Sequence, residues 1–186
     1  DLDSATIGMG LSIQDPEALK LLVKSLLDRD VRLSLDATAL VSYILPLLSG
    51  KNVVVTPHAG EFKKMFGEAP PDSKKARITM VEKFAKDNSI TILLKGPTDI
   101  ISNGTKTYIN PTNTPGMTVG GTGDILSGII AGMLARNRNA LESAVISAYF
   151  NGLAGKSTQK KLGSHMTATD LLDALPSVMK SFDKIK

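Results

Sequence analysis

The sequence predicts a three-layer α/β fold, in which helices cover both faces of a mostly parallel sheet. Short runs of apolar, β-branched residues alternate with longer segments whose apolar residues recur every three or four positions. Strands that are apolar throughout are typical of parallel sheets, because both faces of such sheets are buried. In addition, Asn103-Gly104 lies between two β-prone runs and predicts an antiparallel hairpin at one edge of the sheet.

The first fifty residues predict helix, strand and helix in that order. The run Asp15-Pro16-Glu17 has the N-cap acid and first-turn proline of a helix start. The buried face of this helix is expected to comprise Leu19, Leu22, Val23, Leu26 and Leu27. Residues 31–35 predict a strand, and residues 37–48 predict a helix that is broken near Pro46.

The rest of the chain continues the alternation. A helix is expected to begin at Asp72 or Ser73 and to reach about Asp87. The other predicted strands are Val53–Val55, Thr91–Leu94, 100–102 and 106–109, and the other predicted helices are Thr122–Arg136, 140–156 and 167–180.

Composition narrows the possible functions. With 186 residues, 42% of them hydrophobic, the chain is expected to form one domain over residues 1–186. The absence of cysteine excludes disulfides, thiolate metal sites and a cysteine nucleophile, and favours the cytoplasm. The net charge of +4 and the lack of tryptophan argue against a nucleic-acid partner, and no apolar run is long enough to suggest a membrane partner.

A glycine cluster precedes the apolar helix that starts at Thr122. Gly120, Gly121 and Gly123 let the main chain turn several N–H groups into one concavity, and the helix adds its unpaired N-terminal donors. This pattern predicts a phosphate site. Asp124 can then take a proton from a hydroxyl that attacks phosphorus. The alternative is that Asp124 only caps a buried helix.

Other motifs follow predicted strands, where ligands gather in parallel sheets. His58 and Glu61 follow one strand and either line a site or start the next helix. Lys95 follows the next strand and either meets a phosphate or belongs to an ordinary turn. The Gly8-Met9-Gly10 loop can approach a ligand closely, whereas Asp36-Ala37 is uninformative alone.

Taken in order, these motifs resemble those of the NAD(P)H-hydrate dehydratases, repair enzymes of the ribokinase-like superfamily. The resemblance covers nearly the whole chain and is most specific where a histidine block is combined with Gly-Gly-Thr-Gly-Asp. The matching blocks are Gly8-x-Gly10-Leu11, Leu35-Asp36-Ala37, Thr56-Pro57-His58-x-Gly60-Glu61, Leu94-Lys95-Gly96 and residues 113–124.

The resemblance implies an activity and a role for each matching residue. The family uses ADP, or ATP in eukaryotes, to remove water from the hydrated nicotinamide ring of NADHX or NADPHX, and Mg²⁺ is expected with the phosphates. No residue identifies itself as a metal ligand. Asp124 would be the catalytic base. Substrate would be bound by Gly10, His58 and Asp124, the nucleotide by Lys95, Gly96, Pro97, Thr98, Asp99 and Gly123, and the phosphates by Gly120, Gly121, Thr122 and Gly123.

The resemblance also implies partners and leaves alternatives open. The family's opening βαβ segment has no counterpart here, so the chain is expected to be N-terminally incomplete. A homo-oligomer is expected, with the absent segment or an NAD(P)HX epimerase domain as a further partner. The alternatives are a kinase of the same superfamily acting on a sugar or vitamin alcohol, and a non-catalytic nucleotide-binding domain.

Overall fold

A computed structural model describes residues 2–136 and 139–183. The strands are β1 (Ser4–Ile7), β2 (Arg32–Leu35), β3 (Val53–Val55), β4 (Thr91–Leu94), β5 (Asp99–Ser102) and β6 (Thr107–Asn110). The helices are α1 (Pro16–Leu27), α2 (Leu45–Leu48), α3 (Ala59–Phe66), α4 (Lys74–Asn88), α5 (Thr122–Arg136), α6 (Ala140–Leu162) and α7 (Ala168–Met179). No helix in these ranges combines the length and apolar character needed to cross a membrane.

The six strands form one sheet in the order β1-β2-β3-β4-β5-β6. The first four strands are parallel, and β5 and β6 are each antiparallel to the strand before them. The hairpin predicted at Asn103-Gly104 is confirmed, and Gly104 has φ +83°, as the turn requires. Because β5 is antiparallel to β4, its first residue, Asp99, lies beside the carboxyl end of β4.

Helices cover both faces of the sheet, so the predicted three-layer architecture is confirmed. On one face, residues of α1, α3 and α4 such as Val23, Phe62 and Val81 pack against β2, β3 and β4. On the other face, α5 and α6 cover Val54 and Leu93, whose side chains point the opposite way from those of their strand neighbours. α7 packs outside α6.

Helix α5 is tied to the first two strands by polar contacts as well as apolar ones. Ser127 lies 2.5 Å from the Thr6 hydroxyl and 2.9 Å from the Ser34 hydroxyl. At the C-terminal end of the helix, the buried Arg32 guanidinium donates to the Leu134 carbonyl at 3.0 Å. A cation at that end also complements the helix dipole. These contacts fix the N-terminus of α5 above the carboxyl ends of β1 and β2.

The prediction of a helix over residues 37–48 is wrong. Ala37 has φ +48°, which an α-helix does not allow, and Val41 is extended between two 3₁₀ turns. The Thr38 hydroxyl bonds to the Gly8 and Leu11 carbonyls, so tertiary contacts override the local helical pattern. Pro46 is the second residue of α2 and lies in its first turn, where proline is tolerated.

Helix ends and faces differ from prediction in detail. Asp15 caps α1 as expected, but Leu22 on that helix is 44% exposed and does not join the core. α6 extends six residues beyond the predicted end, to Leu162. The predicted bounds of α5 agree with those observed.

Candidate functional site

A cleft of about 730 Å³ opens at the carboxyl ends of β2, β3 and β4, beneath the N-terminus of α5. In open parallel sheets, ligands bind at the carboxyl ends of the strands. Of the predicted site residues, those that line the cleft are His58, Lys95, Gly96, Pro97, Asp99, Gly120, Gly121, Thr122, Gly123 and Asp124. Gly10 and Thr98 do not line it. The cleft therefore unites motifs that are scattered along the chain.

The start of α5 is held by a folded loop. The buried Thr122 hydroxyl lies 2.7 Å from the Met117 carbonyl oxygen and 3.1 Å from that of Val119. Gly121 has φ +94°, and a Cβ there would come within 2.9 Å of Ala168. This position therefore requires glycine, and the loop turns the first amides of the helix toward the cleft.

Asp124 lies in the first turn of α5 and is exposed to the cleft. Within residues 2–136 and 139–183, its carboxylate has no hydrogen-bond or ion-pair partner, so it does not cap the helix. An unengaged carboxylate beside free main-chain donors is able to take a proton from a bound ligand.

Lys95 links two carboxylates at this helix tip. Its ammonium lies 2.7 Å from Asp36 Oδ1 and 3.6 Å from Glu61 Oε2. The same Nζ atom is 3.4 Å from the point that a Cβ on Gly123 would occupy. A fixed cation therefore lies against the amides of the predicted phosphate site, where it adds to their attraction for an anion.

Asp36 is the component of this cluster that sequence reasoning missed. Its side chain is 3% exposed. Its main chain packs directly against Gly8, where any Cβ would overlap the Asp36 carbonyl oxygen. Gly8 has φ +125°, so only glycine is tolerated there. The signal was faint: a single acid after a strand, 59 residues from its lysine partner.

His58 and Glu61 form a capping box at the start of α3. His58 Nδ1 accepts from the amides of Gly60 at 3.0 Å and Glu61 at 3.2 Å, and Glu61 Oε2 accepts from the His58 amide at 2.8 Å. The structural interpretation of both residues is therefore correct. It does not exclude function, because both side chains also line the cleft.

Asp99 is a buried carboxylate that braces the loop after β4. It accepts from the Gly96 amide at 3.1 Å and from the side chains of Asn110 and Asn113 at 3.0 and 2.8 Å. Burial raises the pKa of Asp99, although these donors and the charge of Lys95 partly offset the rise. Its contacts shape the loop, so we expect Asp99 to act on a ligand through Gly96.

Comparisons with known proteins show which family this chain resembles. The family described as NAD(P)H-hydrate dehydratase matches residues 1–177. The chain is 66% identical over 184 residues to the ADP-dependent (S)-NAD(P)H-hydrate dehydratase of Nitrosopumilus maritimus, covering 99% of this chain and 64% of that protein. The chain thus spans just under two thirds of that relative's length.

Solved structures give the same family and fold. An ADP/ATP-dependent NAD(P)H-hydrate dehydratase of Bacillus subtilis, co-crystallised with ATP and Mg²⁺, has a TM-score of 0.85 at 29% identity, over 97% of this chain and 65% of that one. A ribokinase-like superfamily protein of Enterococcus faecalis has a TM-score of 0.77 at 28% identity, over 98% and 64%. The ribokinase-like fold predicted from the sequence is confirmed.

Proposed function

Because this chain belongs to the NAD(P)H-hydrate dehydratase family, we propose that it dehydrates NADHX and NADPHX to NADH and NADPH at the expense of ADP. AMP and phosphate would be the other products. The observation that carries the proposal is the unengaged Asp124 carboxylate beside the glycine-bounded start of α5 and the Lys95 ammonium.

The cleft offers what phosphoryl transfer to a ring hydroxyl needs. The amides of residues 120–123 and Lys95 would hold the phosphates of ADP and stabilise the charge that develops on them. Asp124 would take the proton from the ring hydroxyl, whose oxygen then attacks the terminal phosphorus. The phosphorylated oxygen leaves more readily than hydroxide, which is how nucleotide cleavage drives loss of water.

The two ends of the cleft suit different ligands. The loop from Lys95 to Asp99 lies at the β4–β5 side and is proposed to hold the adenine nucleotide. His58 lies at the β3 side and is proposed to contact the hydrated dinucleotide. Gly10 and Thr98 lie outside the cleft lining, so their predicted binding roles remain predictions.

Magnesium would be carried into the cleft by the nucleotide. No group of three potential ligands among His, Cys, Asp and Glu is placed to hold a metal in the described part of the chain. Mg²⁺ commonly binds through substrate phosphates and water, and this mode fits the residues present. Bound in this way, the ion would neutralise charge on the phosphates.

A coupled assay tests the proposal. The chain, and the full-length product of its gene, are mixed with NADHX and ADP, and NADH absorbance and AMP are followed. We expect NADH to appear only with ADP, in equal amount to AMP. ADP binding by calorimetry without turnover in either protein would favour a non-catalytic domain. Phosphorylation of a sugar or hydroxymethylpyrimidine, with no NADH formed, would favour a kinase.

The size of the assembly is a separate proposal. We propose that the chain forms a homo-oligomer, which light scattering on the purified protein would test. A mass equal to one chain at assay concentration would contradict it.

A further inference from the structure

Loss of water from the ring requires the removal of two protons, one from the hydroxyl and one from a neighbouring ring carbon. The proposed function assigns an acceptor only to the first. The hydroxyl proton goes to Asp124, and the oxygen leaves with phosphate as the C–O bond breaks. The neighbouring ring carbon must then lose a proton, and the electron pair of that C–H bond forms the ring double bond. We propose that the Glu61 carboxylate accepts this second proton, an inference that rests on the proposed function.

Glu61 reaches the cleft from the opposite side to Asp124. It lies in the first turn of α3, on one face of the sheet, whereas α5 covers the other face. Lys95 Nζ is 3.6 Å from Glu61 Oε2 and 3.4 Å from the point that a Cβ on Gly123 would occupy. Glu61 Oε2 is therefore at most about 7.0 Å from that point on Gly123. A ring held at the tip of α5 would therefore lie within reach of the Glu61 carboxylate as well as of Asp124.

One oxygen of Glu61 is available for a proton. Oε2 accepts from the His58 amide at 2.8 Å, which fixes the side chain. Oε1 is left with His58 Nε2 at 3.5 Å as its neighbour, beyond ordinary hydrogen-bond length. The side chain is 18% exposed, so a ligand in the cleft is able to reach it.

Two other groups near Glu61 are unsuited to the role. His58 Nδ1 is occupied by the Gly60 and Glu61 amides, so a neutral ring carries its hydrogen on Nε2, and that nitrogen is a donor that cannot accept a proton. Lys95 is paired with Asp36, and an ammonium has no lone pair to accept a proton.

The two buried acids are also unsuited. The Asp36 side chain is 3% exposed and holds Lys95. The Asp99 residue is 3% exposed, and its oxygens accept from Gly96, Asn110 and Asn113. Asp36 Oδ1 is held by Lys95, and its Oδ2 lies 3.7 Å from the Cβ point of Gly123, at the phosphate end of the cleft. Among the described acids that line the cleft besides Asp124, Glu61 therefore combines a partly exposed side chain with an oxygen that has no hydrogen bond.

Glu61→Gln separates the two chemical steps. Glutamine at this helix position still accepts from the His58 amide, so the capping box is kept while the base is lost. Rapid quenching measures AMP, and absorbance measures NADH. In the unchanged chain both should appear together. In Glu61→Gln we expect AMP to form at an unchanged rate in a first turnover, and NADH to form about 10²–10⁴ times more slowly.

Two further variants keep the test decisive. Glu61→Asp retains a carboxylate, and aspartate serves the same capping position at Asp170 of α7, so the helix start should persist. NADH formation should then rank glutamate, aspartate, glutamine, with AMP formation equal in all three. Glu68→Gln, at an exposed residue outside the cleft lining, should alter neither rate.

The outcomes are distinguishable. If NADH and AMP slow equally in Glu61→Gln, or if neither slows, the second proton goes elsewhere, for example to the leaving phosphate, and the inference is overturned. If neither the wild-type chain nor the full-length product of its gene forms AMP or NADH, the proposed function itself fails.

Discussion

Lys95→Met probes the ion pair that anchors the cleft. Lys95 Nζ lies 2.7 Å from Asp36 Oδ1, and the Asp36 side chain is only 3% exposed. Methionine keeps most of the length and apolar surface of lysine but removes the charge. The Asp36 carboxylate would then be buried with no cation beside it at hydrogen-bond distance.

The expected loss of stability is large. At 2.7 Å two unit charges attract by about 6 kcal/mol at an effective dielectric constant of about 20. Desolvation offsets much of this attraction in the native pair, but removing one partner of a buried pair typically costs about 3–5 kcal/mol. With a urea m-value of about 2 kcal/mol/M, the unfolding midpoint should fall by about 1.5–2.5 M. Asp36→Asn should cost less, because Lys95 is 20% exposed and keeps Glu61 at 3.6 Å.

Urea unfolding followed by circular dichroism measures these losses. Lys83→Met is the matched control, because the Lys83–Asp87 pair is exposed on both sides and should contribute little to stability. The double variant Asp36→Asn, Lys95→Met should be more stable than Lys95→Met alone, since it leaves no unpaired charge. A Lys95→Met loss as small as the control's, or a double variant in which the two losses add, would refute the reasoning.

Three further predictions concern the base, the strand-end glycines and the buried acid. Asp124→Asn should keep its ADP affinity in calorimetry while kcat falls by about 10²–10⁴, because an amide cannot take the proton; near-normal turnover would remove Asp124 from the reaction. Gly8→Ala should lower Tm far more than Gly10→Ala, since both glycines have positive φ but only at position 8 does a methyl group overlap the Asp36 carbonyl oxygen; equal shifts would contradict this. Burial raises the pKa of Asp99 in the folded state above its ordinary value of 3.8. Between the unfolded-state pKa and the folded-state pKa, the folded chain therefore binds more protons than the unfolded chain. The contribution of Asp99 to the free energy of unfolding then falls as the pH rises through this interval. The difference in unfolding free energy between the unchanged chain and Asp99→Asn should therefore decrease with pH in urea titrations, and an increase would disprove the assignment.

Local patterns predicted the parts of the fold that local forces determine. The Asn103-Gly104 turn, the strands Val53–Val55 and Thr91–Leu94, and the bounds of α5 all agree with the structure. Each depends on turn chemistry or on a continuous apolar run, which neighbours in sequence are enough to specify.

The segment from Ala37 to Leu48 could not be predicted in this way. Its residues have a helical apolar pattern, and Leu40, Ile44 and Leu48 are all fully buried. Its conformation is decided by Gly8 and Thr38, through contacts with residues about 30 positions away, and these contacts force Ala37 to φ +48°. Propensity is a weak guide wherever tertiary contacts compete with it.

The candidate site was likewise predictable from the sequence only in part. The glycine cluster and Asp124 were evident from sequence, because their chemistry lies within five consecutive residues. The pairing of Lys95 with Asp36 was not, because the two residues meet only when β2 and β4, on either side of β3, bring them to the same end of the sheet. The roles of Gly10 and Thr98 remain predictions.

The order of the strands bears on when the cleft is completed during folding. Strand order matches chain order, so each strand needs only the edge left by its predecessor. Helix α5 departs from this pattern, since Ser4 on β1 bonds to the Ala131 carbonyl, 127 residues away. Contacts of such separation form late because loop closure must precede them. A nascent chain would therefore form most of its sheet well before α5 completes the cleft.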